Sequence, residues 1–106
     1  MARRLELDAK LRALLEEHLG YVNIYFQPPD SERLKYDCLI YSLRGYGTTK
    51  ADDTNYLTQN EYDVTFISRD PESEFPKILF DSFSNCSPGR PFWTDNLFHV
   101  PCTIYF

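Results

Sequence analysis

The sequence predicts a small α+β domain: a mostly antiparallel β-sheet with an N-terminal helix and a second short helix packed on it, closed by a C-terminal β-hairpin. Three observations predict it. Leucines recur at helical spacing near the start, three later stretches alternate apolar with polar residues, and the aromatic end FWTDNLFHVPCTIYF is divided by an Asp-Asn pair. The length of 106 residues fits one domain spanning residues 1–106, since a single core is usual up to roughly 150 residues.

Taken in order, Leu7, Leu11, Leu14, Leu15 and Leu19 form one helical stripe, with Arg4, Lys10, Arg12, Glu16 and Glu17 largely on the other side. Gly20 stands where a left-handed cap would release the chain. The next residues, YVNIYFQ, alternate with Val22, Ile24 and Phe26 on one face, until Pro28 and Pro29 stop the strand. DSERLK is a charged connection to YDCLIYSLR, where Leu39, Tyr41 and Leu43 face one way and Cys38, Ile40 and Ser42 the other. From Gly45 to Thr58, GYGTTKADDTNYLT keeps neither period and reads as a long loop or a hairpin extension, of a length usually retained for function.

NEYDVTFIS is a third strand with Tyr62, Val64 and Phe66 on one face, ended by the Asp70-Pro71 turn. Ser73 is placed to N-cap EFPKILFDSF, on which Phe75, Ile78, Leu79 and Phe83 share a face. After the breaker-rich NCSPGRP, Asp95-Asn96 supplies the left-handed residues of a tight hairpin. Its last strand puts Phe98, Val100, Cys102, Ile104 and Phe106 on one face and Leu97, His99, Pro101, Thr103 and Tyr105 on the other. Five apolar positions hold that end down, since burying one large apolar side chain is worth roughly 1.5–3 kcal/mol. Pro101 lacks an N–H and belongs on an edge strand or at a bulge; a free edge beside an exposed face invites pairing with another subunit.

A net charge of -5 repels phosphate backbones overall, which argues against nucleic-acid binding. MARRLELDAK has no apolar signal core, and the stretch from Asn96 is short against the roughly 20 residues of a membrane span, so nothing is expected to export or anchor the chain. Cys38, Cys86 and Cys102 form no CxxC pair and read as reduced, buried thiols; with His99 they also lack the ligand spacings of structural zinc. General acid-base work would fall to His18, His99, Asp52, Asp53, Asp63 or Asp95, yet no nucleophile and base stand together. His18 is expected to pack at the helix C-terminus and His99 to face an interface. Phosphate-loop, dinucleotide, nucleophile-elbow and zinc-protease motifs are missing, so no catalytic, cofactor-binding or metal-binding residue is expected.

The first helix, VNIYFQPP, LKYDCLIYS, the loop containing Ala51-Asp52, EYDVTFISRDPESEFP and FWTDNLFH together resemble a family of small proteins from the structural-gene region of long-tailed bacteriophages. Their order and spacing carry the resemblance over nearly the whole chain. It implies a siphophage virion protein of the tail terminator or head-tail joining type, at the head-proximal end of the tail after assembly in the host cytoplasm. Such a protein forms a ring, sixfold to match the tube, which stops tube polymerisation and offers a surface for joining to the head. The implied partners are other copies of the chain, the tail tube protein and a neck or head-completion protein; DNA passes through the lumen without specific binding, and no reaction or cofactor is implied. Tyr46, Thr48, Lys50, Asp52 and Asp53 are then expected to meet the tube, and Leu97, His99 and Tyr105 a neighbouring subunit. CSPGRPFW departs from the plainer strand expected before Asp95 and leaves that strand's length open. Three alternatives remain: a neck protein on the portal side, a small enzyme or ligand-binding domain using His99, Asp95 and Cys102, and a regulatory interaction module.

Overall fold

The computed structural model describes residues 3–28, 34–50 and 56–106. Helix α1 runs Arg3–Leu19, four residues earlier than its leucine stripe requires, because RLE continues the strong helix formers backward. Leu7, Leu11 and Leu15 are fully buried, while Leu14 and Leu19 pack at the margin of the core. Gly20 takes φ 80° and returns its N–H to the Glu16 carbonyl at 3.1 Å, the left-handed stop that its position predicts.

The strands are β1 Ile24–Phe26, β2 Cys38–Lys50, β3 Tyr56–Ser68, β4 Cys86–Pro88, β5 Phe92–Thr94 and β6 Leu97–Tyr105, with helix α2, Phe75–Asp81, between β3 and β4. They form one sheet in the order β1-β2-β3-β6-β4, with β5 also paired to β6. Only β1 and β2 are parallel; every other pair is antiparallel, so the expected α+β class holds.

Several boundaries differ from expectation for local reasons. The first strand shrinks to three residues because Gln27 turns to φ 45° ahead of Pro28. The stretch from Gly45 resolves as a hairpin extension, in register from Gly45↔Glu61 to Lys50↔Tyr56. Helix α2 is capped at Glu74 rather than Ser73, but the Ser73 hydroxyl still accepts the Phe75 N–H at 3.3 Å. Within NCSPGRP, the expected breaker, Cys86–Pro88 pairs with β6, and Gly89 to Pro91 separates it from β5.

Both helices lie on one face of the sheet. Leu39 and Tyr41 of β2, Tyr62, Val64 and Phe66 of β3, and Cys102 and Ile104 of β6 meet Leu7, Leu11, Leu15, Phe75, Leu79 and Phe83 in a single core. Phe66 and Phe75 approach to 4.8 Å between ring centroids. The terminal strand is flanked on both sides, so Pro101 is not on an edge; its carbonyl accepts the Gly89 N–H at 2.8 Å, and its donor-free nitrogen faces the gap between β4 and β5. Phe106 exchanges two backbone hydrogen bonds with Asn60 and meets Phe83 edge-on at 6.2 Å. The aromatic end is thus stitched into the sheet.

One polar chain crosses the rim of this core. Arg4 donates to the Tyr41 hydroxyl at 3.4 Å, Tyr41 donates to the Asp8 carboxylate, and Arg12 pairs with the same carboxylate. Burial pushes the Asp8 carboxyl up, but the Tyr41 hydrogen bond with Arg12 and Arg4 outweighs it and holds the group below its ordinary value. Tyr41 is pushed up to about 12 by burial and by Asp8. Replacing Leu11 with Ala should cost about 2–5 kcal/mol in urea unfolding. For Asp8, a lowered folded pKa means a contribution fully present above about pH 4 and lost as pH falls through the folded value. The stability gap between wild type and Asp8→Asn should therefore stay constant from neutral pH down to about pH 5 and narrow below it; a gap widening in acid would contradict this assignment.

Candidate interaction surface

Side chains alternate across a strand, so cross-strand partners share a face. The register therefore assigns the side of the sheet opposite the helices without ambiguity. Its rows are Cys38, Ile67, His99 and Phe92; then Ile40, Thr65 and Pro101; then Ser42, Asp63, Thr103 and Ser87; and last Glu61 with Tyr105. No helix covers it among the described residues. At one end the Lys35 N–H donates to the Tyr25 hydroxyl at 3.0 Å, and there Cys38 and Ile67 are buried. Toward Asp63, Thr103 and Tyr105 the face opens.

All three residues expected at a subunit contact, Leu97, His99 and Tyr105, sit on this face and are half-buried. Asp95 and Asn96 place two of them, with φ 53° and 62°, the pair of left-handed residues that a two-residue type I′ turn needs. That turn sets Phe92 opposite His99, and the rings stack at 4.8 Å with 12° between planes. His99 Nδ1 lies 3.1 Å from the Leu97 carbonyl, an acceptor, so Nδ1 carries a proton in this contact. Arg44 reaches across the last rows to the Thr103 hydroxyl at 3.3 Å and the Asp63 carboxylate at 3.8 Å. Both ends of that ion pair are exposed, so it orients side chains more than it stabilises.

Phe92 and Trp93, 48% and 54% exposed, were singled out by no periodicity. They belong to a strand of three residues, too short for alternation to register, and only the Asp-Asn turn signals that the run is paired. Trp93 lies against Phe98 at 5.2 Å on the helix side of the hairpin. The hairpin tip thus presents an aromatic ring on each face.

The expected tube contacts divide differently. Tyr46, Thr48 and Lys50 lie on β2 in the hairpin extension, while Asp52 and Asp53 fall outside the described residues. The considered zinc set is split by the sheet: Cys86 and Cys102 face the helices, Cys38 and His99 the opposite side. Among the described residues no group of three or more His, Cys, Asp or Glu could hold a metal ion. The same parity separates His99 from Cys102, and Asp95 is at the turn, so those three do not converge on a pocket. Burial pushes the Cys38 thiol up to about 12, with help from Asp37, and raises Cys102 and Cys86 as well, which keeps all three protonated and poorly nucleophilic.

A cleft of about 360 Å³ does exist elsewhere, between the C-terminus of α1 and the start of α2, lined by His18, Leu19, Asp70, Glu72, Ser73, Glu74, Phe75 and Ile78. His18, expected to pack at the C-terminus of the helix, is exposed there at the cleft rim, its Nε2 4.0 Å from the exposed Glu17 carboxylate. Asp70 is committed to its own turn, where its carboxylate accepts the Glu72 N–H at 2.9 Å. Among the described residues, no buried side-chain nitrogen or oxygen lacks a partner, so no orphaned polar group marks a ligand position. No described helix is long and apolar enough to cross a membrane.

No protein-family model and no curated protein matches this chain.

The hairpin geometry is directly testable. Asn96→Gly, which takes positive φ freely, should leave thermal stability unchanged or slightly raised. Asp95→Val should lower it by about 1–2 kcal/mol, because a β-branched residue pays the left-handed penalty; equal effects from the two would contradict the turn type.

Proposed function

We propose that this chain is a structural bacteriophage protein that caps the head-proximal end of the tail tube as a ring, stops tube polymerisation and provides the surface for joining to the head. The observation that carries this reading is the sheet face opposite the helices, on which Leu97, His99 and Tyr105 stand with the Phe92–His99 stack. It is a surface suited to contact.

The mechanism is geometric. A tube grows by adding rings to an end that presents a repeated surface, so a subunit that docks there with one face and shows a different face outward removes the template for the next ring. The hairpin extension of β2 and β3 supports the first role, since it reaches past the rest of the sheet; the open sheet face supports contact between neighbours. A ring needs unlike patches on each subunit, and a helix-covered face backing an open one supplies unlike patches. The charge of -5 is compatible with DNA sliding through a lumen that does not hold phosphates.

Purified tail tube subunits give the test. Adding this chain should halt tube elongation, with a ring of the chain visible at one tube end by electron microscopy. His99→Glu combined with Tyr105→Arg, both on the open face, should raise the concentration needed by at least about tenfold, equivalent to about 1.4 kcal/mol, while Glu17→Lys on the exposed side of α1 should not. Tubes that elongate unchanged in the presence of the chain would exclude the proposal.

A further inference from the structure

The hairpin extension has two backbone edges that no described strand pairs, and the hydrogen-bond pattern identifies them. Asn60 exchanges N–H···O bonds of 3.1 and 3.0 Å with Phe106, so its backbone groups point toward β6. Alternation along β3 then turns Glu61 toward β2, and turns Thr58 and Tyr56 to the β6 side, beyond the last pairing of β6. On β2, the Leu39 N–H bonds to the Asn23 carbonyl and the Tyr41 carbonyl accepts from Gln27, so odd positions face β1; the Gln27 side chain then takes the Leu43 N–H at 3.1 Å. There the cover of β1 ends. Across the bulge between Leu43 and Gly45, Gly45 pairs inward with Glu61, which turns the backbone groups of Tyr46, Thr48 and Lys50 outward.

Neither edge is flanked by another described strand. Free edges are usually guarded by charge, proline or short length. Here ten residues, YGTTK and YLTQN, contain one charge, Lys50, and no proline. A two-stranded ribbon is marginal alone and gains independent stability from a third strand.

We infer that this arm pairs edge to edge with the arm of a second copy of the chain, the outward edge of β2 at Tyr46, Thr48 and Lys50 joining the outward edge of β3 at Tyr56 and Thr58 of its neighbour. One arm carries both complementary edges, which is why the occupant is another copy. β2 and β3 run in opposite directions, so placing a neighbour's β3 beside β2 keeps every junction antiparallel, the stronger pairing. The contact is between unlike edges, so it repeats from copy to copy and forms a ring when the rotation between copies closes, whereas β2 against β2 would stop at a dimer. The inference deepens the ring reading and rests on its premise that copies associate head to tail.

Two proline variants of the full chain test it. Thr48→Pro removes an outward donor from the β2 edge, and Thr58→Pro one from the β3 edge; the inward ladder, carried at Gly47 and Gln59 and at Thr49 and Leu57, keeps its donors. By light scattering after size exclusion and by native mass spectrometry, wild type should populate closed oligomers, and each variant alone should associate at least about tenfold more weakly. An equimolar mixture should yield a one-to-one dimer and nothing larger, because one open edge of each kind remains. Variants that assemble like wild type, a Thr58→Pro chain that dimerises by itself, or a wild type that stays monomeric at the highest attainable concentration would overturn the inference. Should the variants melt well below wild type, hydrogen exchange of the wild type decides: the Thr48 and Thr58 amides should slow at least about tenfold in the assembled fraction relative to dilute protein, and unchanged rates overturn the inference. Rings built through these edges that leave tube growth untouched keep this inference and remove the tail reading; capping that survives both prolines does the reverse.

Discussion

The leucine stripe of α1 can be buried against one side of the sheet only, and most of the architecture follows from that constraint. Leu7, Leu11 and Leu15 settle over Tyr41, Tyr62 and Val64, and α2 extends the cover with Phe75 and Leu79. Two helices of 17 and 7 residues do not reach around to the second face. Dispersion and apolar burial would be satisfied by any sliding of the helix along the sheet. The Arg4, Tyr41, Asp8 and Arg12 chain removes that freedom, because a buried phenol needs its acceptor at one place. The apolar contacts supply the driving force, and the polar rim supplies the register.

Single-sided cover has a chemical consequence. With a side-chain period of two, neighbouring positions on β6 are assigned to opposite environments. Cys102 is sealed under the helices, where burial keeps its thiol protonated, while His99, three residues earlier, lies on the open face. Neighbouring residues on β6 are therefore held apart, and the open face brings Phe92, His99, Pro101, Thr103 and Tyr105 together beside the charged Asp63 and Glu61, a mix of aromatic and polar groups found in contact surfaces.

Most of the core was legible in the sequence because it is written in periods long enough to count. Leu7 to Leu19 shows more than three helical turns, and Leu39, Tyr41, Tyr62, Val64 and Phe66 alternate over runs that leave no competing reading. The Asp95-Asn96 turn was legible for a different reason: its residue types tolerate the backbone that the turn requires. Short or composite elements were not. β4 and β5 have three residues each, and a strand containing Pro88 looks like a breaker until its partner on β6 is known. Gln27 shortens β1 by adopting a positive φ for which no glycine or asparagine gave warning. The helical stripe locates His18 only to within an edge, and its exposure depends on the turn built by Asp70 and Glu72, distant in sequence, which lines the cleft beside it.

The unequal lengths of the strands tie the two ends of the molecule together. β2 and β3 have 13 residues each, whereas β6 has nine and β1 three. All of them are aligned at the end that the helices cover, so the excess length emerges at the other end as a ribbon that no other described strand flanks. The bulge between Leu43 and Gly45 marks the transition: before it, Gln27 still satisfies the outward edge of β2, and after it nothing described does. Ordering each residue of such a ribbon costs roughly 1–2 kcal/mol of backbone entropy, which its ladder hydrogen bonds and any partner strand must offset. The ribbon, the open face and the aromatic hairpin tip are the surfaces that the proposed assembly would cover, and binding there would add to the stability of the folded subunit.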